Sequence, residues 1–137
     1  MANTERLTCW SSEDAFVIGV QLRTIDGQFH AETEELVEVD TGYAGDVLVP
    51  WNLYIDLELY GWELDEELWS VGISISGEVF PLVLSRGYIV IPRLGQEFLV
   101  LIDSFEGNDQ FLIGRSFLRR LRMLLDGPEG QTCLLGD

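Results

Sequence analysis

The sequence predicts an all-β domain, on three observations. Short runs rich in Val, Ile, Leu and Phe recur along nearly the whole chain, most end in Gly, Pro, Asn or Asp, and only the stretch from Ser116 carries clear helical spacing. The 137 residues suit one domain and are too few for two independent cores. An apolar share of 47% is ample for a folded interior despite the charge.

Residues 1–14 are polar and unperiodic apart from Trp10, and read as an N-terminal arm whose order depends on what it packs against. Residues 15–137 read as the domain. Phe16 to Thr24 predicts a strand, Ile25-Asp26-Gly27-Gln28 a turn, and Phe29 to Val39 the returning strand of a hairpin. Val47 to Val49 is a short strand that Pro50 ends, because proline cannot donate to a ladder. Trp51 to Tyr60 alternates like a strand, yet Pro50 and Gly61 punctuate it like a helix, and a short helix is expected. Leu68 to Ile75 and Glu78 to Leu84 predict strands joined around Ser76-Gly77. Gly87 to Ile91 and Gln96 to Ile102 predict a further hairpin across Pro92-Arg93-Leu94-Gly95. Asp103 to Gln110 reads as irregular surface loop. From Ser116, an N-cap, the spacing of Phe117, Leu118, Leu121 and Leu125 predicts a helix, and Thr132 to Leu135 a last strand.

Eight basic and 24 acidic residues give a formal net charge of -16, a field that repels phosphate backbones and anionic lipid headgroups. Neither nucleic acid nor membrane is expected as a partner; the excess acid reads as a solubilising surface. No stretch reaches the roughly 18 uncharged apolar residues of a membrane helix and residues 1–13 lack a signal-peptide core, so a soluble, cytoplasmic protein is expected. Cys9 and Cys133 lie near opposite termini without CxxC spacing; a disulfide is open to them, but free buried thiols are expected. One histidine, His30, leaves no material for a His-based metal site or a catalytic triad, and it reads as a surface residue of a strand or turn.

One acidic turn stands out, Glu38-Val39-Asp40-Thr41-Gly42-Tyr43-Ala44-Gly45, between an apolar stretch and the run Val47 to Pro50. Asp-Thr-Gly by itself says little, since such a tripeptide arises by chance in roughly one chain in ten or twenty of this length, and turns favour Asp and Gly for local reasons. Context changes its weight: a distant apolar-apolar-Gly, Leu112-Ile113-Gly114, leads into the expected helix through Arg115-Ser116-Phe117-Leu118.

Through Val39-Asp40-Thr41-Gly42 and Leu112-Ile113-Gly114-Arg115-Ser116-Phe117-Leu118, the chain resembles the retroviral-type, retropepsin-like (clan AA) aspartic proteases. The continuation Tyr43-Ala44-Gly45 is more like the small prokaryotic members with Asp-Thr-Gly-Phe/Tyr. The resemblance implies a barrel-like half with a flap hairpin and one short C-terminal helix, completed as a C2 homodimer because one chain brings only one carboxylate. It implies an endopeptidase using water and two Asp40 side chains that share a proton, without metal or cofactor, on a peptide or protein substrate. Asp40 would be catalytic, with Thr41, Gly42, Tyr43 and Ala44 forming the active-site loop. Leu112, Ile113, Gly114 and Arg115 would brace that loop, and Ile75, Ser76 and Gly77 would sit at the flap tip over bound peptide. The resemblance also implies a dimer sheet built from a strand around residues 132–135. Tyr43 stands where retroviral enzymes have Ala, and Ala44 replaces an Asp that there pairs with the Arg of the Gly-Arg pair, which leaves Arg115 without that partner, although Asp46 is nearby in sequence. Two other readings compete: a dimer of this fold acting as a peptide-binding or assembly module, and Asp40 as a phosphoacceptor, which no phosphate loop supports.

Overall fold

The structure, a computed structural model, describes residues 5–136. Among the described residues there are ten strands: β1 (Arg6–Ser11), β2 (Val17–Arg23), β3 (Glu35–Asp40), β4 (Val47–Leu48), β5 (Ser70–Ile73), β6 (Val79–Ile91), β7 (Gln96–Ser104), β8 (Leu112–Gly114), β9 (Met123–Asp126) and β10 (Gln131–Leu135). Two short helices, α1 (Trp51–Asp56) and α2 (Arg115–Leu118), interrupt them. The all-β expectation holds.

Six strands close on themselves. They follow the order β2-β3-β8-β4-β7-β6, and β6 pairs back onto β2, so no edge is left open in this ring, and β5 adds outside β6. Ile18, Val20, Leu22, Val47, Ile89, Ile91, Ile102 and Ile113 are all inaccessible to solvent and make up much of the core. Each such burial contributes about 1.5–3 kcal/mol. A separate sheet, β1-β10-β9, packs its Trp10, Cys133 and Leu134 inward.

One crossing decides where the acidic turn lies. Strand β8 inserts between β3 and β4, parallel to the first and antiparallel to the second. The connection from β3 to β4, residues 41–46, must therefore wrap around the end of β8. That end is Gly114, directly opposite Asp40.

Several sequence expectations change. The helix from Ser116 lasts only through Leu118: Phe117 and Leu118 are buried, the chain turns, and Leu125 belongs to β9. Its backbone finds ladder partners on β10, which outweighs a helical spacing carried by few residues. Strand β6 runs unbroken through Ser85 and Arg86 and serves two hairpins, because Ser85 buries its hydroxyl by donating to the Leu59 carbonyl at 2.6 Å. The returning strand of the first hairpin starts only at Glu35, with a lone bridge at Phe29. Residues 51–60 are helical at Trp51–Asp56 and continue into a 3₁₀ turn at Leu59–Trp62.

Of the segment expected as an arm, residues 1–4 lie outside the described residues, and Arg6–Ser11 forms β1 against β10. Trp10 anchors it, donating from Nε1 to Glu34 at 2.8 Å beneath the Arg93 guanidinium. Cys9 and Cys133 are cross-strand partners joined in a disulfide, contrary to the expected free thiols. The pairing of β1 with β10 faces the two thiols, information that their spacing in sequence does not carry. His30 is also corrected: its ring is only 3% exposed, Nδ1 accepts the Leu22 amide at 2.7 Å, and Nε2 meets Glu35 at 3.1 Å. Strand β10 has neighbours on both sides, so it is closed to a second copy; β1 and β9 are the edges. No helix among the described residues is long and apolar enough to cross a membrane.

Candidate active site

Asp40 is the last residue of β3, half-buried, and one carboxylate oxygen accepts the Gly42 amide at 2.9 Å. This contact across two residues is the turn that Asp makes readily with its own backbone. The Tyr43 amide donates to the Asp40 carbonyl at 3.2 Å and closes the turn. Thr41, Gly42 and Ala44 face solvent.

Three backbone hydrogen bonds fasten the turn to the end of β8. Gly114 N–H reaches the Asp46 carbonyl at 2.9 Å, Arg115 N–H the Tyr43 carbonyl at 2.7 Å, and Ser116 N–H the Gly45 carbonyl at 3.2 Å. Approach this close demands glycine: a Cβ on Gly114 would stand 2.2 Å from the Gly45 carbonyl oxygen and 2.4 Å from the Tyr43 ring. Leu112 and Ile113, 6% and 0% exposed, pack on either side of the same strand.

Tyr43 turns inward. Its ring fills the space that Gly45 and Gly114 leave, and its hydroxyl donates to Asp103 at the end of β7. Asp103 and the neighbouring Asp46 are both buried. Burial pushes the Asp103 carboxyl above its ordinary range, the Tyr43 hydrogen bond pulls it back, and the Asp46 charge adds to the rise. Burial beside Asp103 also holds the Tyr43 phenol well above its usual value, so it stays a donor. Asp46 accepts from the Leu101 amide at 2.9 Å and pairs with Arg120 at 3.4 Å, not with Arg115. Arg115 instead donates to the Thr41 carbonyl at 3.3 Å and so still steadies the loop.

This pair of buried acids makes a pH prediction. Because the folded-state value of Asp103 is raised, its contribution to stability is complete below the unfolded Asp value of about 4 and is lost as pH rises through the folded value. Asp103→Asn keeps an acceptor for Tyr43 but no charge. It should melt higher than the parent at pH 7, with the difference closing below pH about 4; thermal melts across that range check it.

The structure brings together Asp40, Thr41, Gly42 and Tyr43 with Gly114 and Arg115. Ile75, Ser76 and Gly77 form the tip of the β5–β6 hairpin, where the Gly77 amide donates to the Ser74 carbonyl at 2.9 Å. Ile75 is fully exposed, and among the described residues no hydrogen bond or ion pair joins the tip to the Asp40 turn. Sequence reasoning missed Asp103 and Asn108. A carboxylate closing the apolar run Phe98 to Ile102 was the available signal for the first. Asn108 has only 6% exposure, donates to the Val49 and Gln110 carbonyls, and makes the expected loose loop a fixed one.

No family model matches the sequence, and no curated protein matches it. Two solved structures are similar to it over most of both chains. A retropepsin-like aspartic protease from Rickettsia conorii has 22% identity and a TM-score of 0.47, covering 91% of this chain and 94% of that one. The retroviral protease-like domain of Ddi1 from Leishmania major has 13% identity and a TM-score of 0.47, covering 91% and 96%. At these identities no residue role is carried over from either.

Proposed function

We propose that this chain is one half of a homodimeric aspartic endopeptidase, with Asp40 and the Asp40 of a second copy acting on one water. The observation that carries the reading is the Asp40 turn itself: a solvent-reaching carboxylate at a strand end, in a turn pinned by backbone bonds from Gly114, Arg115 and Ser116, the first of them a glycine that admits nothing larger. Such a fixed carboxylate is preorganised to hold a reacting water. Thr41 and Gly42, exposed beside it, are the surface a substrate backbone or a second copy would meet.

A single carboxylate cannot both take a proton from water and give one to the carbonyl. In the dimer the ionised Asp40 takes the water proton as oxygen adds to the carbonyl carbon, and its protonated mate donates to the carbonyl oxygen. In the collapse of the resulting diol the mate takes back a proton from one diol hydroxyl as the C–N bond breaks, and the nitrogen leaves with the proton first taken from water. The hairpin tip at Ile75, Ser76 and Gly77 acts as the flap over the bound strand. Arg115, Leu112, Ile113 and Gly114 keep the loop in place. Leu7 on β1 and Leu124 and Leu125 on β9, apolar yet exposed on the edge strands, are the surface for the second copy.

Sedimentation combined with a mixed peptide library tests this. A dimer that cleaves peptides at acidic to neutral pH and is blocked by a statine-type mimic is the expected result. A chain that stays monomeric at all concentrations sinks the shared-dyad mechanism, and a dimer that binds but never cleaves peptides favours the assembly-module reading.

A further inference from the structure

A cleft of about 510 Å³ opens between the flap hairpin and the loop after β7. Its walls are apolar, from Trp51, Phe80, Pro81 and Phe105, and its rim carries Glu78 and Glu106. The walls are preformed. Trp51 stacks on Tyr54 with ring centroids 5.4 Å apart, and its amide donates to the Asn108 carbonyl at 2.8 Å. Phe80 lies 4.8 Å from Phe105, and it can lie there because its cross-strand neighbour is Gly72, where a Cβ would be 2.4 Å from the Phe80 ring. Asn108 fixes the loop that presents Phe105, its amide donating to the Phe105 carbonyl at 3.0 Å.

Both rim glutamates are exposed, and neither belongs to an ion pair among the described residues. No arginine lines the cleft. Chain connectivity ties the cleft to the acidic turn: Trp51 lies three residues past the end of β4, into which that turn runs, and Phe105 lies two residues past Asp103, the partner of Tyr43. An apolar slot rimmed by two unpaired carboxylates suits a large apolar side chain with a cation beside it.

We propose that this cleft selects the peptide, taking a bulky apolar side chain, Phe or Leu in size, whose sequence neighbour is Arg or Lys held by Glu78 and Glu106. The inference rests on the hydrolase reading for the identity of the ligand as an extended peptide. Its test does not require turnover. Fluorescein-labelled eight-residue peptides containing an Arg-Phe pair are titrated by polarisation into full-length Asp40→Asn protein.

Phe→Ala in the peptide should weaken binding by about tenfold or more, and Arg→Glu by several-fold. The doubly substituted protein Glu78→Arg, Glu106→Arg should reverse the charge preference, and both positions are exposed surface that leaves the fold intact. Equal binding of all peptides, or an unchanged charge preference in the reversed protein, overturns the proposal. If wild-type protein cleaves nothing while the selectivity holds, the hydrolase reading falls and the cleft stands. Cleavage without this selectivity overturns the cleft alone.

Discussion

Replacing Asp40 by Asn is expected to lower kcat/KM for peptide hydrolysis by at least about a hundredfold, the lower end of what general acid–base catalysis supplies. Folding should be unaffected, because Asn offers the same oxygen to the Gly42 amide that holds the turn at 2.9 Å. No other group can take over. Asp46 and Asp103 lie beneath the turn, buried and committed to Arg120, Leu101 and Tyr43, and His30 is held between Leu22 and Glu35. Mixed dimers sharpen the experiment. With equal amounts of wild-type and Asp40→Asn chains, random pairing leaves about a quarter of dimers with two aspartates, whereas independent chains would retain about half the activity. Activity of one half in that mixture, or full activity in the variant, removes the shared site.

Loss of the disulfide should have the largest effect on stability. Cys9 and Cys133 are separated by 124 residues, so the bond closes nearly the whole chain into a loop and restricts the unfolded state accordingly. Replacing both by Ala is expected to cost about 2–5 kcal/mol, a large part of the roughly 5–15 kcal/mol that holds a domain together. The effect should concentrate on β1, which keeps Trp10 buried but leaves Leu7 47% exposed. Urea unfolding with and without dithiothreitol reads it directly: reductant should lower the wild-type midpoint and leave the double variant unchanged. Equal wild-type midpoints in both conditions would mean that the bond adds nothing. The disulfide also bears on the expected cytoplasmic location, because the cytosol of most cells keeps thiols reduced.

The same locality explains what could be read early. Turn residues act through their own backbone, so the Asp26-Gly27 and Ser76-Gly77 turns were legible, and so was the acidic turn at Asp40, whose carboxylate bonds an amide only two residues away. Strand runs were legible because burial imposes their composition. The helix from Ser116 was misread because four apolar residues fit a helical face equally well whether or not a sheet edge stands ready for the last of them.

By itself the sequence determined an all-β chain, a strongly acidic surface, and two motifs whose order and separation resemble those of aspartic proteases. It pointed to Asp40 as the carboxylate to test and to Gly114 as its distant support. Only the tertiary structure decided that β8 enters between β3 and β4, which is why Gly114 must be a glycine and why the turn around it is tied down by three backbone hydrogen bonds. It also turned Tyr43 inward onto Asp103, gave Asp46 to Arg120 instead of Arg115, and faced Cys9 with Cys133. Each of these depends on pairing between segments far apart in the chain, and a contact of that kind leaves no periodicity or local signal in either segment.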